Sequence, residues 1–503
     1  MTMSVLKHRD ELGVKPGRLF VGGSWSEGSD GSTWTHVHPA SNEEVTSFAT
    51  ATATDVGTAV RAARRAFDDG MWTSWKAKDR KRLLQSVAQQ IADHADELDH
   101  LQTLDNGMPV SFSSIYQVSA HIAADIFDYH AGWVDRLSGE TLPQYTGSDM
   151  FTMTLREPVG VVGAIIPWNA PLMLFAQKVA PALAAGCTVV LKPSEYASLT
   201  VFRLTELLEV AGVPAGVFNL VPGEGTVAGE AIITHPEIDK ITFTGSRAVG
   251  KRIMAAAAEN VVRVSLELGG KSPNIVFPDV DDKDLTAAAL MGMVSMGLSG
   301  QGCVCHTRAL VHESIYDEMI DKCATMAAMC VLGDPFDPTT TSGPLINQRQ
   351  VDRVTGYIDE GSEQGARLVV GGDRPEGDLA VGNFVNPTLF ADVDNSMAIA
   401  RDEIFGPVLA VIPFRDEDEA IRLANDTDYG LGASVQTSDV KRALRVAKAV
   451  RSGTFGINGF TVMPNAPFGG YKTSGIGREG GREGIDAFLE TKTITIGLGD
   501  VSF

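Results

Sequence analysis

The spacing of apolar and polar positions changes rhythm twice along this chain. Over 54–69 the run TDVGTAVRAARRAFDD repeats apolar residues at helical spacing, with Thr54 placed to cap the first turn. Stretches 78–104 and 114–137 carry the same period and predict two further helices, while 138–148 is polar and turn-rich and reads as an excursion. From Thr152 short apolar runs alternate with helical patterns. Strands are predicted at 159–166, 188–192, 217–221, 240–243 and 261–267, and helices at 172–185, 199–210, 226–234 and 247–257. That alternation predicts an α/β fold with a mostly parallel sheet covered by helices. A second α/β region is expected from Pro273 to about Gly480, with helices at 282–298 and 314–332 on either side of a cysteine-bearing loop. The tail TKTITI, 491–496, alternates with strand period; a lone terminal strand needs an edge to pair with, and another subunit can supply one.

A length of 503 residues predicts two or more domains. With 44% apolar and 21% charged residues the composition is that of an ordinary globular enzyme. The net charge of −21 argues against nucleic acid or an anionic membrane as partner. Five cysteines (187, 303, 305, 323 and 330) are too few and odd in number for a disulfide framework, so a reducing cytoplasm is the expected setting. The first ten residues contain no apolar signal segment. No residue between Glu157 and Lys178 is charged, but Pro167, Asn169 and Pro171 interrupt the run. It therefore reads as a buried strand, a turn and a buried helix, not a membrane span.

Several short motifs carry chemistry. GQGCVCHTR at 300–308 sets Cys303 behind a flexible Gly-Gln-Gly run, where a thiol can approach a substrate closely. Glu267 lies 36 positions upstream, in LELGGKSP, at a strand-to-loop turn where a carboxylate can act as a base. In Pro167-Trp168-Asn169-Ala170-Pro171 the Asn amide can donate to a developing oxyanion, or it can simply cap the helix that follows. Gly223–Gly229 (GEGTVAG), with Gly225 and Gly229, follows a strand and lets backbone approach a phosphate; a tight strand–helix turn explains it equally well. Phe243-Thr244-Gly245-Ser246 repeats that strand-to-helix arrangement, with Ser246 either a pyrophosphate contact or a plain N-cap. Lys192-Pro193-Ser194-Glu195 ends another strand, where a carboxylate can accept from ribose hydroxyls or stand as a solvated loop charge. Glu403 and Phe405, two apart on a segment expected to be extended, would face the same way and could hold a sugar and its ring. Cys305 and His306 raise a metal alternative, but they lack the four-ligand spacing of a structural zinc site, and no metal is expected.

In this order, these motifs together resemble the NAD(P)-dependent aldehyde dehydrogenase superfamily, from about Leu19 to Ile496. The likeness is most specific at 266–273, 300–303, 403–408 and 467–477 (PFGGYKTSGIG). The resemblance implies a Rossmann-type NAD-binding domain (1–137 and 152–268), an α/β catalytic domain (269–480) and a small β oligomerisation element (138–151 and 481–503). By the same resemblance Cys303 is the nucleophile, Glu267 the general base, Asn169 the oxyanion donor, and Lys178 a lysine near the active site. The implied cofactor contacts are Ile165, Pro167, Trp168, Lys192, Glu195, Gly225, Gly229, Phe243, Thr244, Gly245, Ser246, Leu268, Gly269, Glu403 and Phe405. Two residues depart from the family pattern. Gly302 stands where a larger residue is common, and Cys305 where a smaller one is.

The expected reaction is oxidation of an aldehyde to the carboxylic acid through a thiohemiacetal and a thioester on Cys303. NAD is preferred over NADP because Glu195 would repel a 2′-phosphate. Met173, Met296, Gly302, Val304, Phe460, Val462 and Met463 are candidate pocket residues; being mostly apolar, they favour an aliphatic or aromatic aldehyde. A homodimer or homotetramer is expected. The rival readings are a CoA-acylating relative, which would not need Glu267, a non-catalytic protein on the same fold, and a redox protein using a strained Cys303–Cys305 disulfide.

Overall fold

The computed structural model describes residues 5–113, 115, 118–145, 150–294 and 299–498. Two large sheets and one small one organise it. The first large sheet runs Gly475–Ile476, Arg263–Glu267, Lys240–Thr244, Val161–Ile165, Thr188–Lys192, Phe218–Leu220, Leu19–Val21, Ser24–Ser26. Its five middle strands are mutually parallel; Gly475–Ile476 and Leu19–Val21, on either side of them, run antiparallel to them, and Ser24–Ser26 pairs antiparallel to Leu19–Val21. Val161–Ile165, Thr188–Lys192 and Lys240–Thr244 are buried at every position, and Val161–Ile165 (VVGAI) accordingly reads as an unbroken apolar run. Chain order reverses between Val161–Ile165 and Lys240–Thr244. A sheet wound this way opens a crevice at the carboxyl ends of the strands where the reversal occurs.

The second sheet runs Arg367–Val370, Thr388–Ala391, Val408–Phe414, Arg308–His312, Pro273–Val276, Gly432–Gln436, Thr454–Ile457, parallel except at its first pair. The uncharged run is the expected strand, turn and helix. In the Pro171–Ala185 helix every residue but Met173 is buried, and Pro171 opens it at a position where the missing N–H costs nothing. Among the described residues no helix is long and apolar enough to cross a membrane.

Four expectations need correction. The 78–104 helix is two helices, Ala77–Asp93 and Ala95–Asn106, because His94 leaves helical geometry (φ −112°, ψ 22°) while its ring bonds the Gln90 carbonyl at 2.8 Å. The 226–234 helix is a π-helical turn, Gly225–Gly229, running into a short helix, Glu230–Ile233. The terminal strand finds its edge within the chain. Leu489–Gly497 pairs antiparallel along its whole length with Met150–Pro158, whose other side holds Thr141–Leu142. Lys492–Glu157 and Arg156–Asp486 ion pairs at 2.6 and 2.7 Å tie this sheet down. Residues 152–158 thus leave the first sheet for the small one, while Gly475–Ile476 returns to the first sheet beside Leu266 and Glu267. Two other helices are trimmed, to Ala120–Ala131 and Tyr316–Ala328, while the described part of the 282–298 helix, Asp282–Val294, is helical throughout; residues 114, 116, 117 and 295–298 of the expected spans lie outside the described residues.

Candidate active site

At the reversal point three strands end beside one another and deliver their loops to one cavity of about 860 Å³. Val161–Ile165 leads to Pro167, Trp168 and Asn169. Lys240–Thr244 leads to Gly245 and Ser246, and Arg263–Glu267 ends on Glu267 itself. The second sheet closes the cavity with Gly302, Cys303 and Val304, with Glu403 and Phe405, and with Phe460 and Val462.

Two glycines explain how residues 36 apart come together. Gly300 has φ +69°, and a side chain there would strike the Gly406 backbone, so the loop can pass only as glycine. A Cβ on Gly270 would strike the Cys303 carbonyl, so the Glu267 loop lies directly against the Cys303 loop. Gln301 pins the latter: its amide donates to the Pro344 carbonyl at 3.1 Å and accepts from the Ile346 N–H at 3.0 Å. Cys303 is half-buried, with its sulfur a free thiol. Burial first, then the Glu403 carboxylate, Cys305 and Glu267, push its pKa up, which favours the protonated thiol at rest.

Asn169 does not cap the helix after it. The cap position is Ala170, and the Asn169 amide instead donates to the Gln301 carbonyl at 2.9 Å, on the loop that carries Cys303. Asn106 holds the turn from behind, donating to the Trp168 carbonyl at 3.0 Å.

Glu267 is 3% exposed, and neither carboxylate oxygen has a partner among the described residues. Burial, reinforced by Glu479, raises its pKa well above the ordinary carboxylate value; Lys178 and Arg478 oppose the shift. Lys178 is fully buried behind the cavity, not on its wall. Its Nζ donates to Glu479 Oε1 at 2.5 Å and to Thr242 Oγ1 at 3.3 Å, and it is Glu479 that reaches the lining.

The crevice residues fall into two groups. Pro167, Trp168, Thr244, Gly245, Ser246, Leu268, Gly269, Glu403 and Phe405 line the cavity. Ser246, on the cavity wall, caps the Arg247–Asn260 helix by accepting from the Val249 N–H. Glu403 Oε1 accepts from the Gly270 N–H at 3.1 Å, and burial pushes its pKa up to about 7. Trp168 and Phe405 meet edge to face at 5.4 Å. The 403–405 segment is not extended, as expected from spacing: Phe405 sits at φ +59°, held there by Gln350, whose amide donates to the Ile404 and Phe405 carbonyls at 3.1 and 2.8 Å. The second group, Ile165, Lys192, Glu195, Gly225, Gly229 and Phe243, lies off the cavity wall. Lys192 Nζ donates to Glu195 Oε2 at 3.2 Å and to the Pro193 carbonyl at 2.8 Å, and its stem passes beside Gly229. Phe243 lies under Gly245, whose missing side chain makes room for its ring.

Of the pocket candidates, Met173, Gly302, Val304, Phe460 and Val462 line the cavity, Met463 lines a small neighbouring pocket with Val462 and Met173, and Met296 lies outside the described residues. Sequence reasoning missed Gln177, Glu479, Arg349 and Arg353, all on the cavity wall. The one legible hint concerned Gln177, a large polar side chain inside an otherwise apolar helical run.

The aldehyde dehydrogenase family model matches residues 25–494. The chain belongs to the aldehyde dehydrogenase family. It is an oxidoreductase that oxidises aldehydes. An aldehyde dehydrogenase of Enchytraeus buchholzi is 44% identical over 489 residues, covering 97% of each chain. Aldehyde dehydrogenase 1 of Tanacetum cinerariifolium is 44% identical, covering 96% of this chain and 95% of its own. Among solved structures, betaine aldehyde dehydrogenase of Staphylococcus aureus in complex with NAD+ superposes with a TM-score of 0.95 at 38% identity, covering 99% of this chain and 98% of its own. An NAD+ complex of the Bacillus cereus aldehyde dehydrogenase gives 0.93 at 39% identity, covering 96% of this chain and 97% of its own. This aldehyde dehydrogenase therefore shares its relatives' architecture over nearly its entire length.

Proposed function

We propose that this aldehyde dehydrogenase uses NAD to convert an apolar aliphatic or aromatic aldehyde to the carboxylic acid, with Cys303 as nucleophile. The observation that carries this reading is the meeting of a free thiol, an unpartnered buried carboxylate and a loop amide on one cavity that opens onto a dinucleotide-type crevice. The crevice fits a dinucleotide. Thr244 Oγ1 is buried without a partner, and the Arg247–Asn260 helix starts at Ser246 on the cavity wall. Trp168, Ser246, Glu403 and Phe405 would hold it from the cavity wall, and Lys192 and Glu195 from the neighbouring strand end.

Cys303 gives its proton to solvent water, and its thiolate attacks the aldehyde carbon, forming the S–C bond as the carbonyl π pair moves onto oxygen. The oxyanion is received by the Asn169 amide and the Cys303 N–H. NAD, when bound, supplies the hydride acceptor that turns this adduct into a thioester. Glu267 then takes a proton from water as the water oxygen attacks the thioester carbon, the C–S bond breaks, and acid and thiol are released. Lys178 acts from behind, through Glu479, on the charge that Glu267 feels. The test is NADH absorbance across aldehydes that vary in chain length, aromaticity and charge, without CoA. Strict dependence of turnover on CoA would overturn hydrolysis as the release step.

Two expected results check individual assignments. Asn169→Ala should cost about 2.7–4 kcal/mol of barrier, read as a fall in kcat with KM little changed; a much smaller loss would reduce Asn169 to a loop tether. With Glu195 at the ribose end, kcat/KM for NAD should exceed that for NADP by at least about tenfold, or 1.4 kcal/mol. Equal efficiencies would remove Glu195 from cofactor selection. We also propose a reducing cytoplasmic setting, favoured by five free thiols. Assembly into a dimer or tetramer is favoured by the outer edge of Leu489–Gly497, a nine-residue strand at the margin of its sheet.

A further inference from the structure

The cavity wall contains two buried polar side chains that the proposed chemistry does not use. Gln177, on the Pro171–Ala185 helix, is 7% exposed and lines the cavity one helical turn beyond Met173. Its amide makes no hydrogen bond among the described residues, and its Oε1 is sealed from solvent. His306, three residues after the nucleophile, also lines the cavity. It is buried against the Phe460 ring at 4.8 Å, and its Nε2 has no partner. Burial drives its pKa down to about 4, with only the Ala433 carbonyl opposing, so the ring is neutral and Nε2 offers a lone pair. The same wall also carries apolar side chains, among them Ile115, Val118, Met173, Leu174 and Val462. A buried polar group without a partner costs on the order of 1–3 kcal/mol, so such groups are normally satisfied by something.

We propose that this enzyme selects aldehydes carrying a hydroxyl group on an apolar frame, the hydroxyl being received by the Gln177 amide and His306 Nε2. This rests on the aldehyde-oxidising reading above and narrows its substrate class. A hydroxyl both donates and accepts, so it can serve a lone pair on His306 and either end of the Gln177 amide. A hydroxyl carries no net charge, so it enters the site without the cost of burying an ion. An unsubstituted frame would leave both groups unpaired, the situation in which a site built for hydrogen bonding rejects the analogue that lacks its polar group.

The experiment compares kcat/KM for 4-hydroxybenzaldehyde against benzaldehyde, and for 6-hydroxyhexanal against hexanal, in the wild type, Gln177→Leu and Gln177→Met. The wild type should favour the hydroxylated member of at least one pair by about tenfold or more, and in both variants that ratio should fall to about one. A wild-type ratio near or below one in both pairs, as a Gln177 amide satisfied only by internal water would give, overturns the inference whatever the variants do. A ratio unchanged in both variants also overturns it, while oxidation of aldehydes stands. Failure of the wild type to oxidise any of the four would overturn the parent reading and this inference together.

Discussion

Cys303→Ala is expected to remove NADH formation at every aldehyde concentration, by at least about four orders of magnitude, or roughly 5 kcal/mol of barrier. The reason is that the thiol opens the reaction: without an S–C bond there is no tetrahedral centre for the Asn169 amide to stabilise and no thioester for Glu267 to resolve. The loss should be confined to chemistry. Cys303 is half-buried on the cavity wall, outside the hydrophobic clusters, so alanine removes no core packing and the thermal midpoint should stay close to that of the wild type. Labelling with an alkylating agent gives a second readout. Cys187 and Cys323 are fully buried and off the cavity wall, which keeps both from the reagent. Cys305 shares the cavity, so the labelled peptide must be resolved at single-residue level. Aldehyde-protected labelling at 303 in the wild type, and its absence in the variant, is the expected pattern. Residual turnover within about tenfold of the wild type would transfer the nucleophile's role to Cys305.

Much of this architecture could be read from residue patterns because its determinants are local. Parallel strands buried on both faces are short and rich in apolar residues, and the loops at their carboxyl ends carry the glycines and prolines that let backbones approach. The 159–166, 188–192 and 240–243 strands and the motifs after them were therefore visible. What escaped depends on partners distant in sequence. Nothing near Glu267 signals Glu479 or Arg478, yet these and Lys178 oppose or reinforce the effect of burial on its proton. The left-handed turn at Phe405 is imposed by Gln350, 55 positions upstream. The break at His94 is a single-residue departure inside an otherwise continuous helical period. The edge taken by the terminal strand lies more than 330 residues back, in Met150–Pro158, a segment whose own alternation was obscured by the polar stretch before it. Gln177 was overlooked because, within an uncharged run, only a cavity distinguishes an unpaired amide from a satisfied one.

Glu267→Gln separates the two halves of the reaction. Formation of the thioester does not require the water-activating base, so mixing variant enzyme with NAD and excess aldehyde should still give a burst of NADH approaching one equivalent per active site. Steady turnover should then fall by about 10²–10⁴-fold, the range for loss of a positioned general base. The structure adds a pH signature. Glu267's pKa is raised by burial and by Glu479, and the base works only when ionised, so wild-type turnover should climb with pH through that raised value. The variant's slow turnover should lack this limb. Stability should move the opposite way. A carboxyl whose folded pKa lies above its unfolded value binds more protons folded than unfolded, so its contribution is present below the ordinary glutamate value and is lost as pH rises through the raised one. Glutamine, neutral at every pH and nearly the same shape, escapes that loss. The thermal midpoint of the variant should therefore gain on the wild type as pH rises, while its turnover falls further behind. Equal steady-state rates in the two proteins, or a midpoint difference independent of pH, would mean that the buried carboxylate neither activates water nor carries the perturbed proton assigned to it.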